Sequence, residues 1–478
     1  MLNIEDIRRK SIRGVMSYGL RTFVLYGINI VAGLILSAYL SPADFGVYFV
    51  VSSIIGLVTF LSDIGLAAAL VQKKEAPTTA ELRTTFTVQQ ILAFLIVGIM
   101  MVVAPVLKAQ NKVGDAGIWL LFALACSFVF ASLKTIPSIL LERKLEFAKL
   151  TFPQILETLV FNSIAVTLAV RGMGVQSYVY AVFARSIVGV VAMYFLQTWP
   201  IGIAFSKEAF QGLLKFGAKF QLNDMLARLK DDLFVVVLGL FFPSTQMGYI
   251  SWAKKMSLYP YQFSVNSVMS VTFPVFSRLQ EHPERLKRAI EKAMYFISLL
   301  IFPVLVGLSI LMFALTIVFP RYHQWQPALL SLAFFCFEIA MSAISTPLTN
   351  TLNAIGKIDL TLKLMMMWTA LTWTITPIMI YFFGFSGVAI GSAVIGLSSF
   401  ITVALVKKHV SIEFIEQIWR QVVASIVMGV VLALNLQLWS RSFIWLGVGV
   451  LVGAVVYGTT FLLIGYKKFA FELRSLRV

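Results

Sequence analysis

Residues 85–107 read TFTVQQILAFLIVGIMMVVAPVL, a stretch without a single charged side chain. About 20 consecutive apolar residues suffice for an α-helix to cross the hydrocarbon core of a bilayer. Similar runs recur along the whole chain, which is 59% hydrophobic and 13% charged and has a mean hydropathy of +0.88. One aqueous core cannot hide this much apolar surface in 478 residues. The sequence therefore excludes an ordinary soluble enzyme and predicts a helical membrane protein.

The apolar runs number fourteen when they are separated at charges, glycines and prolines. Their continuous, helix-length character argues against an outer-membrane barrel, whose strands are shorter and alternate polar with apolar residues. The spans are predicted near residues 17–40, 46–70, 85–107, 117–139, 150–170, 175–198, 216–242, 247–275, 293–319, 326–353, 361–384, 386–406, 418–438 and 443–465. We expect a six-helix bundle in 1–205, a second in 206–410, and two further helices with a tail in 411–478. The predicted fold class is an all-α polytopic membrane protein.

The basic residues are distributed unevenly over the predicted loops. Of the 39 lysines and arginines, 27 fall in the termini and even-numbered loops, and 5 fall in the odd-numbered loops. Because cationic loops resist translocation, both termini are predicted to be cytoplasmic. The net charge of +17 reflects this bias and attraction to anionic lipid headgroups. Its spread over many short segments gives no nucleic-acid-binding patch.

The two predicted bundles share a weak internal repeat. Residues 40–46, LSPADFG, resemble residues 242–248, FPSTQMG. Later in the chain a constant offset of 210 aligns Cys126 with Cys336, Pro137 with Pro347, Leu150 and Thr151 with Leu360 and Thr361, and Gly174 with Gly384. Transporters are commonly built from paired bundles with a binding site between them. The repeat therefore favours two similarly oriented six-helix units.

Four stretches together resemble a known family. They are LSPADFGVY at 40–48, LSDIGLAAALVQK at 61–73, LERKLEF at 141–147 and FPVFSRLQ at 273–280. The chain resembles the polysaccharide-transporter branch of the multidrug/oligosaccharidyl-lipid/polysaccharide (MOP) exporter superfamily, nearest to the Wzx-like flippases of the colanic-acid and teichuronic-acid type.

The resemblance implies a V-shaped pair of bundles around a central cavity, as in multidrug exporters of the MATE type, in the bacterial cytoplasmic membrane. The implied function is alternating-access translocation of undecaprenyl-diphosphate-linked oligosaccharide, such as an O-antigen, exopolysaccharide or teichuronic-type repeat unit. The implied partners are this lipid-linked substrate and the bilayer lipids. Association with polymerase or chain-length machinery stays open.

Basic side chains inside the predicted spans are the first candidates for a binding site. A charge facing lipid is costly, so each must face a cavity or a partner. An anionic diphosphate would need such groups, with arginine offering a forked pair of donors and lysine a compact charge. The alternative for each residue is snorkelling to the interface or structural pairing. The substrate-binding candidates are Arg21, Lys134, Arg185, Arg228, Lys254 and Lys255.

The seventh predicted span carries a polar stripe of Gln221, Asp224, Arg228 and Asp231, flanked by Asp232. Spacings of three and four place these residues on one helix face. In one interpretation Arg228 contacts anionic substrate while Asp224, Asp231 or Asp232 takes a coupling cation or proton. In the other, the charges neutralise one another along the helix. The lipid II flippase branch has a sodium site involving the eleventh span, but MMMWTALTW at 365–373 offers no carboxylate.

Glu157 and Glu338 are lone acids in apolar spans. Desolvation favours the protonated form of a buried carboxyl group, so both are candidates for proton coupling. The alternative is a structural hydrogen bond, for instance between helices. No cofactor is expected beyond a coupling proton or sodium ion, and the two cysteines and three dispersed histidines offer no metal-ligand spacing.

Two other functions fit the sequence less well than a flippase. A MATE-type multidrug or cation antiporter would use acids and aromatic side chains in its cavity, whereas seven intramembrane basic residues, with Lys230 added to the six candidates, indicate an anionic cargo. A membrane glycosyltransferase or ligase would usually carry a large exposed loop with catalytic carboxylates or histidine. The external loops predicted here are all short, so the sequence favours a transporter without catalytic residues.

Overall fold

The computed structural model describes the backbone of residues 24–109 and 113–474. It describes their side chains except at 60–61, 215–230, 266–267, 270–271, 273–274 and 473–474. These residues are predominantly α-helical, and no strand occurs among them. The predicted all-α class is thus confirmed.

The helices are numbered α1 to α17 in chain order, and two 3₁₀ segments, Pro320–Ala328 and Gly384–Ser386, interrupt the series. The helices are α1 Val24–Tyr39, α2 Pro42–Ser62, α3 Leu66–Gln72, α4 Thr79–Ala109, α5 Gly114–Arg143, α6 Phe147–Val170, α7 Gln176–Leu196, α8 Lys207–Phe241, α9 Ser244–Arg278, α10 Pro283–Val318, α11 Leu329–Ala354, α12 Ile358–Phe383, α13 Gly387–Gly396, α14 Ser399–Lys407, α15 Phe414–Leu434, α16 Leu436–Trp439 and α17 Phe443–Arg474.

The described parts of the predicted spans are largely helical, with a break at 63–65 inside the second span. Ten helical regions in the described residues are long and apolar enough to cross a membrane. One of them, Ile358–Lys407, contains two predicted spans, 361–384 and 386–406. Three further predicted spans correspond to α1, α8 and α9, which are not among the ten. The chain is a multi-pass membrane protein, and the number fourteen stays a prediction.

By its internal contacts the chain divides into two compact units, Met1–Gly248 and Tyr249–Val478. In the first unit α5 packs on α4 and α7, α6 packs on α7, and α8 packs on α2 and α3. In the second unit α10 packs on α11, α15 and α17, while α13 packs on α11 and α12. The predicted domain boundaries at 205/206 and 410/411 stay predictions.

A buried cluster in the first unit is centred on the short helix α3. Leu66 and Leu70 of α3 are fully buried there against residues of α4, α5 and α8. Trp199, from the segment between α7 and α8, joins the cluster and stacks edge-on against Phe86. Its indole donates a hydrogen bond to the hydroxyl of Tyr194 at 3.2 Å. The connector that leads into α8 is therefore packed into the core of the first unit.

The helices beyond residue 411 are packed into the second unit. Tyr295 of α10, Met428 of α15 and Phe461 of α17 are buried in one apolar cluster. The hydroxyl of Tyr457 on α17 donates to the backbone carbonyl of Leu299 on α10 at 2.9 Å. The two further helices predicted in 411–478 thus share a core with α10.

The helices α5 and α11 end in the same way. After α5, Leu145 has φ +57°, and the amide of Glu146 donates to the carbonyl of Leu141. After α11, Gly356 has φ +76°, and the amide of Lys357 donates to the carbonyl of Leu352. This is the Schellman arrangement that commonly ends a helix on a left-handed residue. Leu145 occupies the position where glycine is usual, so the two helices end in the same way despite different residues.

Candidate functional site

The motif at 61–73 folds as a break between two helices. Gly65 has φ +85°, a conformation that favours glycine, and α3 begins directly after it. One carboxylate oxygen of Asp63, Oδ1, accepts hydrogen bonds from the amides of Leu66 at 3.0 Å and Ala67 at 3.3 Å. A carboxylate at a helix N-terminus satisfies free amides and complements the helix dipole. Asp63 therefore fixes the start of α3.

Arg143, in the motif at 141–147, fixes the other end of α3. Its Nη1 donates to the backbone carbonyls of Leu70 at 2.6 Å, Val71 at 3.3 Å and Lys73 at 2.5 Å, and its Nη2 donates to that of Glu75 at 2.6 Å. The last carbonyls of a helix lack partners within the helix and carry partial negative charge. One guanidinium on α5 thus holds the C-terminal end of α3.

A cavity of about 570 Å³ lies between α3 and α5. From α5, Lys134, Ser138 and Glu142 recur at a spacing of four and form a polar stripe along the wall. The side chains from α3 are mainly small and apolar, with one amide. The full lining is Ala67, Ala68, Val71, Gln72, Ala131, Lys134, Thr135, Ser138, Ile139 and Glu142.

Lys134 and Glu157, predicted separately as an anion ligand and an ion-coupling group, form an ion pair with each other. The Lys134 Nζ lies 2.5 Å from Glu157 Oε1, and the two side chains are only 19% and 20% exposed. Gly189 on α7 leaves room for the carboxylate, because a Cβ at that position would overlap the Glu157 side chain. The pair compensates two charges that would each be costly alone among apolar helices.

Arg185 lies on α7 one turn before Gly189. Its guanidinium carbon is 5.3 Å from the centre of the Phe161 ring, a cation–π distance. Phe161 in turn follows Glu157 by one turn of α6. Arg185 makes no ion pair with any residue that the structure describes. Of Lys134, Glu157 and Arg185, only Arg185 therefore lacks an oppositely charged partner in the described chain.

Other candidates from the first unit lie apart from this group or outside the described residues. Arg21 precedes the described chain, and the side chains of Asp224 and Arg228 are outside the description, although their backbone is helical in α8. Asp231 is exposed. The Asp232 carboxylate lies against Gly56 of α2, where a Cβ would overlap it.

The candidates in the second unit have different surroundings. Lys254 is exposed, whereas Lys255, the next residue of α9, is partly buried. This agrees with the expectation that adjacent helical residues cannot both point the same way. Glu338 accepts a hydrogen bond from the hydroxyl of Ser342 at 2.8 Å, one turn later in α11. The described residues contain no group of three or more histidine, cysteine or acidic side chains suited to a metal ion.

Sequence reasoning missed Glu142, Gln72 and the anchoring role of Arg143. A signal was available for Glu142, because Lys134, Ser138 and Glu142 follow a spacing of four. It was hidden because residue 142 lies beyond the predicted fourth span, which stops near 139. The helix α5 continues to Arg143. Arg143 acts on backbone carbonyls of a distant segment, and no side-chain pattern reveals such contacts.

Comparison with known proteins gives the family directly. Residues 35–329, more than half of the chain, match the model of a family described as "Polysaccharide biosynthesis protein". The chain is also 24% identical over 380 residues to the Escherichia coli (strain K12) lipopolysaccharide biosynthesis protein WzxC, covering 75% of this chain and 73% of that protein. The resemblance seen in the sequence motifs is confirmed.

Solved structures identify the fold. The lipid II flippase MurJ superposes with a TM-score of 0.74 at 14% identity, over 94% of this chain and 99% of that one. An inward-facing multidrug resistance MATE family transporter of the MOP superfamily gives 0.60 at 16% identity, over 81% and 94%. Identities this low bear on fold alone. The chain belongs to the polysaccharide biosynthesis protein family, and it is a multi-pass membrane transporter with the fold of the MOP superfamily.

Proposed function

We propose that the protein moves undecaprenyl-diphosphate-linked oligosaccharide from the inner to the outer leaflet of a bacterial cytoplasmic membrane. In this proposal both termini are cytoplasmic, and the polar head of the substrate crosses by alternating access while its lipid tail stays in the bilayer. The family, the likeness to WzxC and the shared fold with a lipid II flippase support this reaction.

The observation that carries the proposal is the group of charges within α5, α6 and α7. Each charged side chain at the centre of an isolated membrane helix costs about 3 kcal/mol on insertion-based scales. Lys134 and Glu157 reduce this cost by pairing, but Arg185 has only the face of Phe161 on the described chain. A substrate diphosphate would supply the missing anion, because guanidinium binds phosphate oxygens through two parallel hydrogen bonds. We therefore assign Arg185 as the diphosphate contact in the first unit.

The alternative function is a MATE-type antiporter of organic cations. The chain shares its fold with a multidrug transporter. It requires a negatively charged or aromatic binding site, and an unpaired arginine would repel the cargo. The charge of Arg185 thus favours the anionic substrate.

A deletion strain tests the proposed function. Spheroplasts of the strain, either intact or opened, would be treated with a membrane-impermeant glycan oxidant. The lipid-linked oligosaccharides would then be extracted and compared with those of the untreated strain. We expect the lipid-linked oligosaccharide to accumulate in the cytoplasmic leaflet and to be cleared when the wild-type gene is restored. Unchanged leaflet distribution, together with new sensitivity to cationic drugs, would contradict a flippase and support the antiporter.

A further inference from the structure

The cavity between α3 and α5 has the wrong charge for a diphosphate. The positive charge of Lys134 is compensated by Glu157 at 2.5 Å. The side chain of Glu142, in the same lining, forms no hydrogen bond or ion pair with any residue of the described chain. The lining therefore contains one cation that is already paired and one carboxylate, and an anion would gain nothing by entering the cavity.

The two walls of the cavity differ in polarity. Ala67, Ala68 and Val71 present a smooth apolar surface on α3. Opposite them, the stripe of Lys134, Ser138 and Glu142 on α5 presents hydrogen-bonding groups. A sugar ring has the same division, with apolar C–H faces and an edge of hydroxyls that both donate and accept. A carboxylate accepts from hydroxyls, and the amide of Gln72 can both donate and accept.

The lining is poorly suited to an organic cation. None of the ten described residues that line the cavity is aromatic, whereas protein sites for organic cations rely on aromatic faces. The cavity volume of about 570 Å³ lies within the range of small-molecule sites. Asp63 and Arg143 hold both ends of α3, so one wall is positioned before a ligand arrives. Such preorganisation lowers the entropic cost of binding.

We propose that the cavity between α3 and α5 binds a sugar residue of the transported oligosaccharide, with Glu142 as the principal acceptor for sugar hydroxyls. The diphosphate is then held elsewhere, by Arg185 in our assignment. Lys134 positions Glu157 and the polar wall and is not an anion ligand. This inference rests on the proposed function, since it concerns part of the same substrate.

The test compares two lipids that differ only in the sugar. One probe is the undecaprenyl-diphosphate oligosaccharide extracted from the deletion strain, and the other is undecaprenyl diphosphate without sugar. Binding to the full-length purified protein would be measured for wild type, Glu142→Ala and Ala68→Leu, which fills the cavity from α3. Glu75→Gln is the matched control, because this acid is 84% exposed and outside the lining. Thermal melting of each variant verifies that it is folded.

We expect Glu142→Ala to weaken binding of the oligosaccharide lipid by about tenfold, since a hydrogen bond to a charged group contributes about that factor. Ala68→Leu should weaken it as well, because the larger side chain fills the cavity. Binding of undecaprenyl diphosphate should be unchanged in both variants, and the control should bind both lipids normally. Equal loss for both lipids, or no loss for either, would overturn the sugar site. Loss of tetraphenylphosphonium binding in Glu142→Ala, without loss of either lipid, would assign the cavity to cations instead. If wild type binds neither lipid, the proposed function itself fails.

Discussion

Gly46 and Gly248 pack against each other's helix, and each is the fifth residue of its own helix, α2 or α9. A Cβ on Gly46 would overlap the backbone carbonyl of Ser244 and lie 2.8 Å from the amide nitrogen of Gly248. A Cβ on Gly248 would overlap the carbonyl of Pro42. The two positions are also equivalent in the internal repeat of 40–46 and 242–248. The repeated motif thus places two helix starts in backbone contact within the first unit.

Replacement of Gly46 by valine is expected to destabilise the protein. The opposing atoms belong to backbone, so they cannot move away as a flexible side chain would, and overpacking of this kind costs about 1–3 kcal/mol. Gly98→Val is the control, because nothing lies within 4 Å of a Cβ at Gly98 in α4. Thermal unfolding of the purified variants measures the difference. Equal melting temperatures for both variants would contradict the close contact.

Removal of Lys134 alone is expected to cost more stability than removal of the whole ion pair. Lys134→Ala leaves the Glu157 carboxylate unpaired and largely buried, which should cost about 2 kcal/mol. The double variant Lys134→Met with Glu157→Leu should recover at least half of that loss. As a control, Lys149→Ala breaks the more exposed Lys149–Glu146 pair and should change stability by less than about 1 kcal/mol. Additive losses in the double variant would show that the two residues are not coupled.

Arg143→Ala is expected to loosen α3 without unfolding the first unit. Four backbone carbonyls lose their donor, so amides of residues 66–75 should exchange hydrogen faster, while those of α5 stay protected. Arg143→Lys should restore little of the protection, because a single ammonium cannot reproduce the fork of a guanidinium. Arg171→Ala, an exposed arginine at the end of α6, is the control. If hydrogen exchange in α3 is unchanged in Arg143→Ala, Arg143 does not anchor α3.

The loop after α3 offers a pH-dependent readout. A hydrogen bond to Glu81 at 2.8 Å raises the pKa of Lys73 above its ordinary value. A raised pKa means that the stabilising pair is fully present below the ordinary lysine pKa and is lost only as the pH rises through the raised one. At pH 9 an amine-reactive reagent should therefore modify Lys73 more slowly than Lys74. The substitution Glu81→Gln should accelerate the modification of Lys73 but not that of Lys74. Mass spectrometry measures both sites, and equal rates in wild type would contradict the raised pKa.

Much of the fold could be predicted because a bilayer imposes a simple length rule. Continuous apolar runs located helices at every described span, and the motifs gave the family. Boundaries were less certain where polar residues continue a helix beyond its apolar part. The predicted span 117–139 omits Glu142 and Arg143, yet α5 includes both. A helix end that is stabilised by tertiary contacts leaves no signal in hydropathy.

The candidate site was predictable only as a set of residue types. The cost of intramembrane charge singled out Lys134, Glu157 and Arg185 as residues that need partners. It could not decide that Lys134 and Glu157 pair with each other, because the pairing depends on how α5 and α6 face one another. Nor could it reveal that Gly189 makes room for the carboxylate. Spacing along one helix is readable from sequence, whereas distances between helices are set by packing.

Arg185→Ala is expected to abolish export of the glycan while leaving membrane insertion and stability close to wild type. The variant loses the cation that we assign to the diphosphate, and Arg185→Lys should retain part of the activity because it keeps the charge without the fork. Glycan export in the complemented deletion strain measures the effect. Normal export by Arg185→Ala at equal protein levels would remove the case for this contact.

The most direct measurement uses purified protein in sealed vesicles that contain the lipid-linked oligosaccharide in both leaflets. A membrane-impermeant glycan oxidant is added outside, and the fraction of oligosaccharide that it consumes is followed with time. With the wild-type protein we expect the inner-leaflet pool to be consumed as well, whereas vesicles with Arg185→Ala should lose only the outer pool. Consumption that stops at the outer pool with folded wild-type protein would contradict the flippase account.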